Sequence, residues 1–488
     1  MWKLPGGKVG QAVSPAKASR ARPSRPSTSH PCQTESKPLR ILLISTYELG
    51  RQPFGLASPA AWLRNAGADV VCLDLARQPL DEDALRRADA VAFYLPMHTA
   101  TRLAIPVIRR TREINPAAHL CAFGLYAPVN APYLRKLGVR TVVGGEFEEG
   151  LLTLLRPGPA PLISLARQRF LVPDRSGLPP LSKYAQLVLP GGARRTVGYT
   201  EASRGCKHLC RHCPVVPVYQ GAFRIVPREI VLEDIRRQVA AGAQHITFGD
   251  PDFFNGIGHA MELVRAIARE FPGVTYDVTI KIEHLLQHSK HLPLLRDTGC
   301  AFVVSAVESV DDYVLHHIFD KGHTRADFVR AAHLFRELGL VLSPTFIPFH
   351  PWMTLESYHD LLAAIADLDL IEHVSPVQLA IRLLVPAGSR LLELPEARAA
   401  MGAFDEAALS YRWVHPDPRV DKLQHRLETS IARAVTAKQH RRGIFESVWE
   451  MLHEALYEAG DSPAPPPPDV PPGRPRVTIP YLTEPWYC

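Results

Sequence analysis

The chain has 488 residues, 46% of them hydrophobic and 22% charged, enough to build cores for several domains of about 100–200 residues each. No apolar run approaches the ~18–20 residues that cross a bilayer, and the N-terminus lacks a signal-peptide core, so a helical membrane protein and a secreted disulfide scaffold are excluded and a cytoplasmic location is expected. The formal net charge of +7 belongs to the leader: eight of the 56 basic and one of the 49 acidic residues lie within residues 1–40, leaving 48 of each, so no nucleic-acid partner is indicated.

Residues 1–39 are basic and rich in Pro and Ser, and are expected to be disordered. They read as an extension or a misassigned start, with a targeting segment as the other reading. Residues 40–155 alternate short apolar runs with helical patterns. The expected strands are Arg40–Thr46, Asp69–Asp74, Ala90–Leu95, His119–Phe123 and Arg140–Val143, with helices over Leu56–Gly67 and about Thr99–Glu113. This predicts an α/β domain built on a doubly wound parallel sheet, whose ligand loops lie at the carboxyl ends of the strands. Residues 156–195 are rich in Pro and Gly and read as a linker.

A second strand–helix series fills 196–390, with expected strands at Gly198–Ala202, His245–Phe248, Thr275–Ile280, Ala301–Ala306, Leu342–Ile347 and Val374–Leu379. Six such units predict a partial (β/α)6 barrel with its chemistry at the carboxyl ends of the strands. Residues 391–460 read as a helical C-terminal region. Residues 461–488 form a Pro-rich arm with a terminal Cys488; eight prolines fall between Asp461 and Arg476, which predicts an extended polyproline segment.

The most informative segment is Glu201-Ala-Ser-Arg-Gly-Cys206-Lys-His-Leu-Cys210-Arg-His-Cys213-Pro. Its Cys-x3-Cys-x2-Cys spacing, placed after the first barrel strand, can turn three thiolates toward one centre. A [4Fe–4S] cluster normally takes four cysteines, so three leave one iron open to an external ligand. Lys207, His208, Arg211 and His212 surround the thiolates and offset their charge. Zinc, with His208 or His212 as fourth ligand, and a plain electron-transfer cluster are the other uses of this spacing.

Cys206, Cys210 and Cys213, at the end of the first strand of a partial barrel, resemble the signature of radical S-adenosylmethionine (SAM) enzymes. The resemblance implies that the open iron chelates the methionine moiety of SAM and that reductive cleavage yields a 5′-deoxyadenosyl radical. It also implies a reductant such as flavodoxin or ferredoxin. Carried over by position, Asp250 and Asp252 after the second strand, Glu308 and Ser309 after the fourth, and Lys321, Arg325 and Arg382 become candidate SAM contacts; for Asp252 a helix N-cap is the alternative.

A doubly wound domain ahead of such a barrel resembles the cobalamin-binding branch of the family. Gly144, Gly145 and Glu146, with His98, are then the candidate cobalamin contacts, the glycines because backbone without Cβ can approach a bulky ligand. The Asp-x-His-x-x-Gly motif that supplies a histidine to cobalt is absent after the first strand. Methylation of a small-molecule or peptide substrate is the leading reaction class. A cobalamin-independent rearrangement, cyclisation or methylthiolation, and a non-catalytic redox or zinc module, are the alternatives.

Residues 206–219, Pro348-Phe-His-Pro-Trp352 and Ile381-Arg-Leu-Leu-Val-Pro-Ala-Gly-Ser389 further resemble a group of such proteins with a Cys-selenocysteine-Ala-Glu-Pro or Cys-Cys-Ala-Glu-Pro tail. Cys488 stands where that tail begins. The resemblance implies a redox role for Cys488 and a chain that continues through a selenocysteine codon.

Overall fold

The computed structural model describes residues 37–156, 158–457 and 479–483. The leader, most of the Pro-rich arm and Cys488 lie outside the described residues. In the N-terminal domain, β1 (Arg40–Ser45), β2 (Asp69–Asp74), β3 (Ala90–Tyr94), β4 (His119–Phe123), β5 (Thr141–Gly145) and β6 (Ile163–Ser164) form one sheet in the order β2-β1-β3-β4-β5-β6, every pair parallel. Alternate residues of the same strands feed two cores. Leu42, Ile44, Val91, Phe93 and Leu120 face one helical layer, while Ile41, Leu43, Ala90, Cys121 and Phe123 face the other. Burial on both faces explains why these strands read as continuous apolar runs. The order reverses between β1 and β3, which opens a crevice at their carboxyl ends.

The predicted linker is less irregular than expected. It contributes β6 to the first sheet and β7 (Gln186–Val188) to the second. The first barrel strand, β8 (Arg194–Thr200), also begins inside it, four residues earlier than the expected Gly198. A short hairpin of β9 (Ser203–Gly205) and β10 (Phe223–Ile225) then brackets the cysteine segment. The barrel continues through β11 (His245–Phe248), β12 (Thr275–Thr279), β13 (Cys300–Glu308) and β14 (Leu342–Phe346), parallel neighbours in that order beside β8.

The sixth expected strand is not a strand. Pro376–Leu379 forms a single 3-10 turn instead. Pro376 has no N–H for a ladder, and side chains cap the edge of β14: the Phe346 N–H donates to Gln378 Oε1 at 3.0 Å, and His373 Nδ1 meets the Leu342 carbonyl at 2.7 Å. The barrel is therefore a curled half-barrel of five parallel strands, extended at the β8 edge by antiparallel β7.

Residues 391–457 are mainly helical, as read, but include a hairpin of β15 (Phe404–Asp405) and β16 (Ser410–Tyr411). The long helices Pro418–Thr436 and Arg441–Leu456 bury Leu423, Leu427, Phe445 and Trp449 in the same core as the barrel helices. Finally β17 (Tyr481–Leu482) adds to β7, with Arg441 over the Tyr481 ring. No helix among the described residues is long and apolar enough to cross a membrane.

Candidate active site at the mouth of the half-barrel

The cysteine loop begins at a backbone position that only glycine fills easily. Gly205 sits at φ +71°, and a Cβ there would lie 2.4 Å from both the Ala222 carbonyl oxygen and the Tyr219 ring. From this pivot the loop is pinned along its length. The Arg211 N–H donates to the Phe319 carbonyl (2.9 Å) and its guanidinium to the His317 carbonyl (2.9 Å), while Arg390 donates to the Leu209 carbonyl (3.0 Å). Arg211 thus shapes the loop from outside.

Cys206, Cys210 and Cys213 are free thiols, with Cys206 and Cys210 buried. Burial raises the Cys206 thiol, and burial together with the other two cysteines pushes Cys213 up to about 12. Three mutually repelling sulfurs out of water are a poor arrangement for bare thiolates and a good donor set for a cationic iron–sulfur core, where metal bonding displaces the protons.

Beside them lies a charged group that the sequence reading found in part. Glu308 ends β13 at a register shift and takes φ +69°, a left-handed conformation that costs a non-glycine residue energy and marks a constrained position. Its Oε1 lies 3.1 Å from His212 Nε2 and 3.2 Å from Lys321 Nζ. Burial opposes ionisation, but Lys321 and His212 outweigh it and hold the Glu308 carboxyl at about 2. Lys321 is itself held protonated against burial by Glu308 and the nearby Cys210 and Cys213. His323 completes the wall: it is buried, neither ring nitrogen has a hydrogen-bond partner, and burial with the Lys321 and Lys281 charges pushes it down to about 3. A neutral imidazole with two unused polar atoms beside a fixed carboxylate fits a polar ligand such as the amino-acid end of SAM. Further down β13, the partly buried Val304 and Ala306 alternate with Val303, Ser305 and Val307, which are buried. His245, Thr247 and Asp277 form a buried polar network between β11 and β12, with His245 Nε2 2.8 Å from Asp277 Oδ1.

The other expected SAM contacts divide. Asp250 is consumed by the loop backbone: its carboxylate accepts from the Ala202 N–H (2.9 Å) and the Ser203 hydroxyl (2.6 Å). Burial, opposed by those bonds, pushes it up to about 7. Asp252 is both a cap, accepting from the Phe254 N–H at 3.1 Å, and a neighbour of His208 and His284. Ser309 is buried next to Glu308, but its hydroxyl accepts from the Asp311 N–H. Arg325 does not join the site: it is an exposed first residue of the helix Arg325–Leu338. Arg382 does not either, because its guanidinium is taken by Asp421 (2.6 Å), the Trp413 carbonyl (2.7 Å) and the Trp413 ring.

The expected cobalamin residues are likewise engaged with this chain. His98 Nε2 lies 2.6 Å from the Ala408 carbonyl. A Cβ on Gly144 would meet Pro128 at 2.4 Å, and one on Gly145 would meet the Ser164 carbonyl at 2.2 Å; these glycines admit neighbouring backbone and proline, where an open cradle for a corrin was expected. Glu146 is buried in a knot that joins the sheet to the barrel. Arg204, from β9, reaches Glu148 at 2.6 Å, Glu201 at 2.7 Å and Glu146 at 3.5 Å. Burial, against the pull of Arg204, raises the Glu146 carboxyl to about 7. Sequence reasoning missed Arg204, His284 and His323. The three histidines His284, His288 and His291, spaced as one helical face, were the available signal for the second of these.

Residues 200–365 match the Radical SAM superfamily. The hopanoid C-3 methylase of Methylococcus capsulatus is 26% identical over 341 residues, 64% of each chain. The ribosomal protein uS12 methylthiotransferase RimO of Parabacteroides distasonis is 25% identical over 36% of this chain and 42% of its own. The chain therefore spans less than two thirds of the length of these curated relatives. Among solved structures, the radical S-adenosylmethionine methyltransferase TsrM from Kitasatospora setae aligns at TM-score 0.57 and 17% identity, covering 75% of this chain and 77% of that one. The cobalamin-dependent S-adenosylmethionine radical enzyme OxsB aligns at TM-score 0.60 and 13% identity, covering 82% and 67%. With the thiol trio at the head of the matched segment and the doubly wound sheet before it, the chain carries a radical SAM domain within the fold shared by these two structures.

Proposed function

We propose that this chain is a radical SAM enzyme of the cobalamin-dependent kind, with a methyl group transferred to a small-molecule or peptide substrate. The observation that carries it is the meeting, on one short loop, of three free thiols with a buried Lys321–Glu308–His212 group at the carboxyl end of a half-barrel. Cys206, Cys210 and Cys213 would hold a [4Fe–4S] cluster, Lys321 would offset its negative charge, and Glu308 with His323 would receive the polar end of SAM. When bound, the cluster supplies the electron that cleaves SAM and cobalamin supplies the methyl group.

For cobalamin, the supporting residues are not the ones first expected. Buried polar atoms without partners gather on the carboxyl side of the first sheet: Ser45 Oγ at the end of β1, Glu48 Oε2 just beyond it, and Asn130 Oδ1 beyond β4. They fit the polar periphery of a large ligand placed at the β1/β3 switch point, with no protein histidine on cobalt. A flavodoxin- or ferredoxin-type donor would reduce the cluster. Cys488 would act as a redox group on the arm, a reading supported by the tail-group resemblance at residues 206–219, 348–352 and 381–389.

The test is anaerobic incubation of the iron-loaded chain with dithionite and SAM, followed by chromatography for 5′-deoxyadenosine and extraction of corrin. Both are expected. A chain with four irons that releases no 5′-deoxyadenosine would defeat the enzyme reading. Turnover without any bound corrin would defeat its cobalamin part.

A further inference from the structure

A second set of ligating atoms lies beside the cysteine loop, and the proposed function assigns it no role. His208 stands between Cys206 and Cys210, Asp252 follows β11, and His284 lies in the helix Ile282–Gln287 after β12. His208 Nε2, Asp252 Oδ2 and His284 Nδ1 all lie within 4.8 Å of one another. Asp252 Oδ2 is 2.7 Å from His284 Nδ1 and 3.5 Å from His208 Nε2. Asp252 is fully buried and His284 nearly so, yet none of the three atoms makes a hydrogen bond of acceptable geometry. Because Asp252 Oδ1 is already taken by the Phe254 N–H, Oδ2 is the oxygen left over, and it is aimed between the two imidazoles. Unsatisfied polar atoms this close together and this deep are costly unless something binds them.

We propose that His208 Nε2, Asp252 Oδ2 and His284 Nδ1 form a site for one divalent transition-metal cation, zinc or iron(II), separate from the thiol trio and independent of the cobalamin reading. Metal bonds of about 2.0–2.2 Å to neighbouring positions of a tetrahedral or octahedral centre put the donor atoms roughly 3 Å apart, between the two observed separations. Two imidazoles and one carboxylate select a borderline metal over magnesium or calcium, which favour all-oxygen sites. The outer shell is also in place. The Glu283 carboxylate lies 3.6 Å from His208 Nδ1, the nitrogen that does not face the site, and Lys281 anchors Glu283 at 3.2 Å. Three protein ligands leave coordination open to water or to a substrate oxygen. The cation would also rivet the cysteine loop to the carboxyl ends of β11 and β12, and set positive charge beside the cluster.

The experiment uses the full chain with its iron–sulfur cluster in place, incubated anaerobically with zinc chloride, desalted, and read by metal analysis and zinc K-edge absorption, which sees zinc in the presence of iron. We expect about one zinc per chain with an imidazole-containing nitrogen/oxygen shell at about 2.0–2.1 Å. His284→Ala and Asp252→Asn should each lower zinc more than tenfold while iron stays at the wild-type level, and the exposed His317→Ala should keep both. His284→Ala decides the matter if Asp252→Asn does not fold. Wild-type protein that retains less than a tenth of an equivalent overturns the proposal, as do variants that keep their zinc. A sulfur shell at about 2.3 Å would place the zinc on the cysteines and also overturns it. So would a zinc-free wild type in which Asp252→Asn weakens SAM binding, since Asp252 would then be serving the SAM ammonium.

Discussion

Arg204→Met tests how the two domains are held together. In the native chain the guanidinium is 6% exposed and serves Glu148 (0% exposed), Glu201 and Glu146 at once, against the rings of Phe54, Phe147 and Phe170. Methionine keeps the apolar contact and deletes the charge. Glu148 would retain the Ser58 hydroxyl (2.6 Å) and the Gln168 amide (2.7 Å), but would be left as a buried carboxylate without a counter-charge. Removing one partner of a buried ion pair costs about 3–5 kcal/mol, and because one partner lies on each domain the cost falls on docking. The pH dependence has a definite sign. In the native chain burial raises the Glu148 carboxyl but Arg204, Ser58 and Gln168 outweigh it and hold it below its ordinary value, so the stability it contributes is present above about pH 4.5 and is lost as pH falls below it. Without Arg204 the remaining carboxyls move upward and oppose folding above that range. Urea unfolding at pH 8 and pH 5, followed alongside limited proteolysis of residues 165–185, should show the full deficit at pH 8 and a much smaller one at pH 5. A deficit under about 1 kcal/mol at pH 8, or one equal at both pH values, would refute the account of Arg204 as the interdomain clamp.

Glu146→Gln should stabilise the chain near pH 8, because burial holds this carboxyl near 7 in the folded state and its ionisation there opposes folding; the gain, at most about 3 kcal/mol by the 1.36 kcal/mol per unit relation, should disappear below about pH 4.5 in the same urea series. Gly205→Ala should lower iron retention after reconstitution and destabilise the chain by about 1–3 kcal/mol, read by metal analysis and thermal unfolding, since the new methyl group would sit 2.4 Å from the Ala222 carbonyl at a left-handed φ. Lys321→Met should raise the SAM dissociation constant at least tenfold in an anaerobic binding titration with iron content unchanged, because Glu308 would lose the cation 3.2 Å from its Oε1.

Much of the fold was legible because local chemistry dictates it. Strands such as Asp69–Asp74 and His119–Phe123 were read to the residue, since continuous apolar runs between turn residues are what a doubly covered parallel sheet demands. The cysteine spacing carried its own geometry, because three donors within eight residues need only a short loop to converge. The sixth barrel strand failed for the complementary reason. Val374–Leu379 is apolar enough to be a strand, but the side chains of Gln378 and His373, arriving from their own loop, satisfy β14 in its place.

Contacts between distant segments were beyond local reading. Gly144 and Gly145 looked like room for a ligand, and only the packed chain showed Pro128 and Ser164 filling that room. Arg382 looked like a free cation until the helix Pro418–Thr436 brought Asp421 to within 2.6 Å. The sequence by itself determined which residues could bond metal and which stretches must be buried, since donor atoms and hydrophobicity are properties of single residues and their near neighbours. Only the tertiary structure decided which charges are already spent on one another and which remain for a ligand. That allocation, as between Arg204 with Glu146 and Glu148 and the convergent His208, Asp252 and His284, depends on what stands within a few ångströms after folding, across separations of 32 to 76 residues that no local pattern encodes.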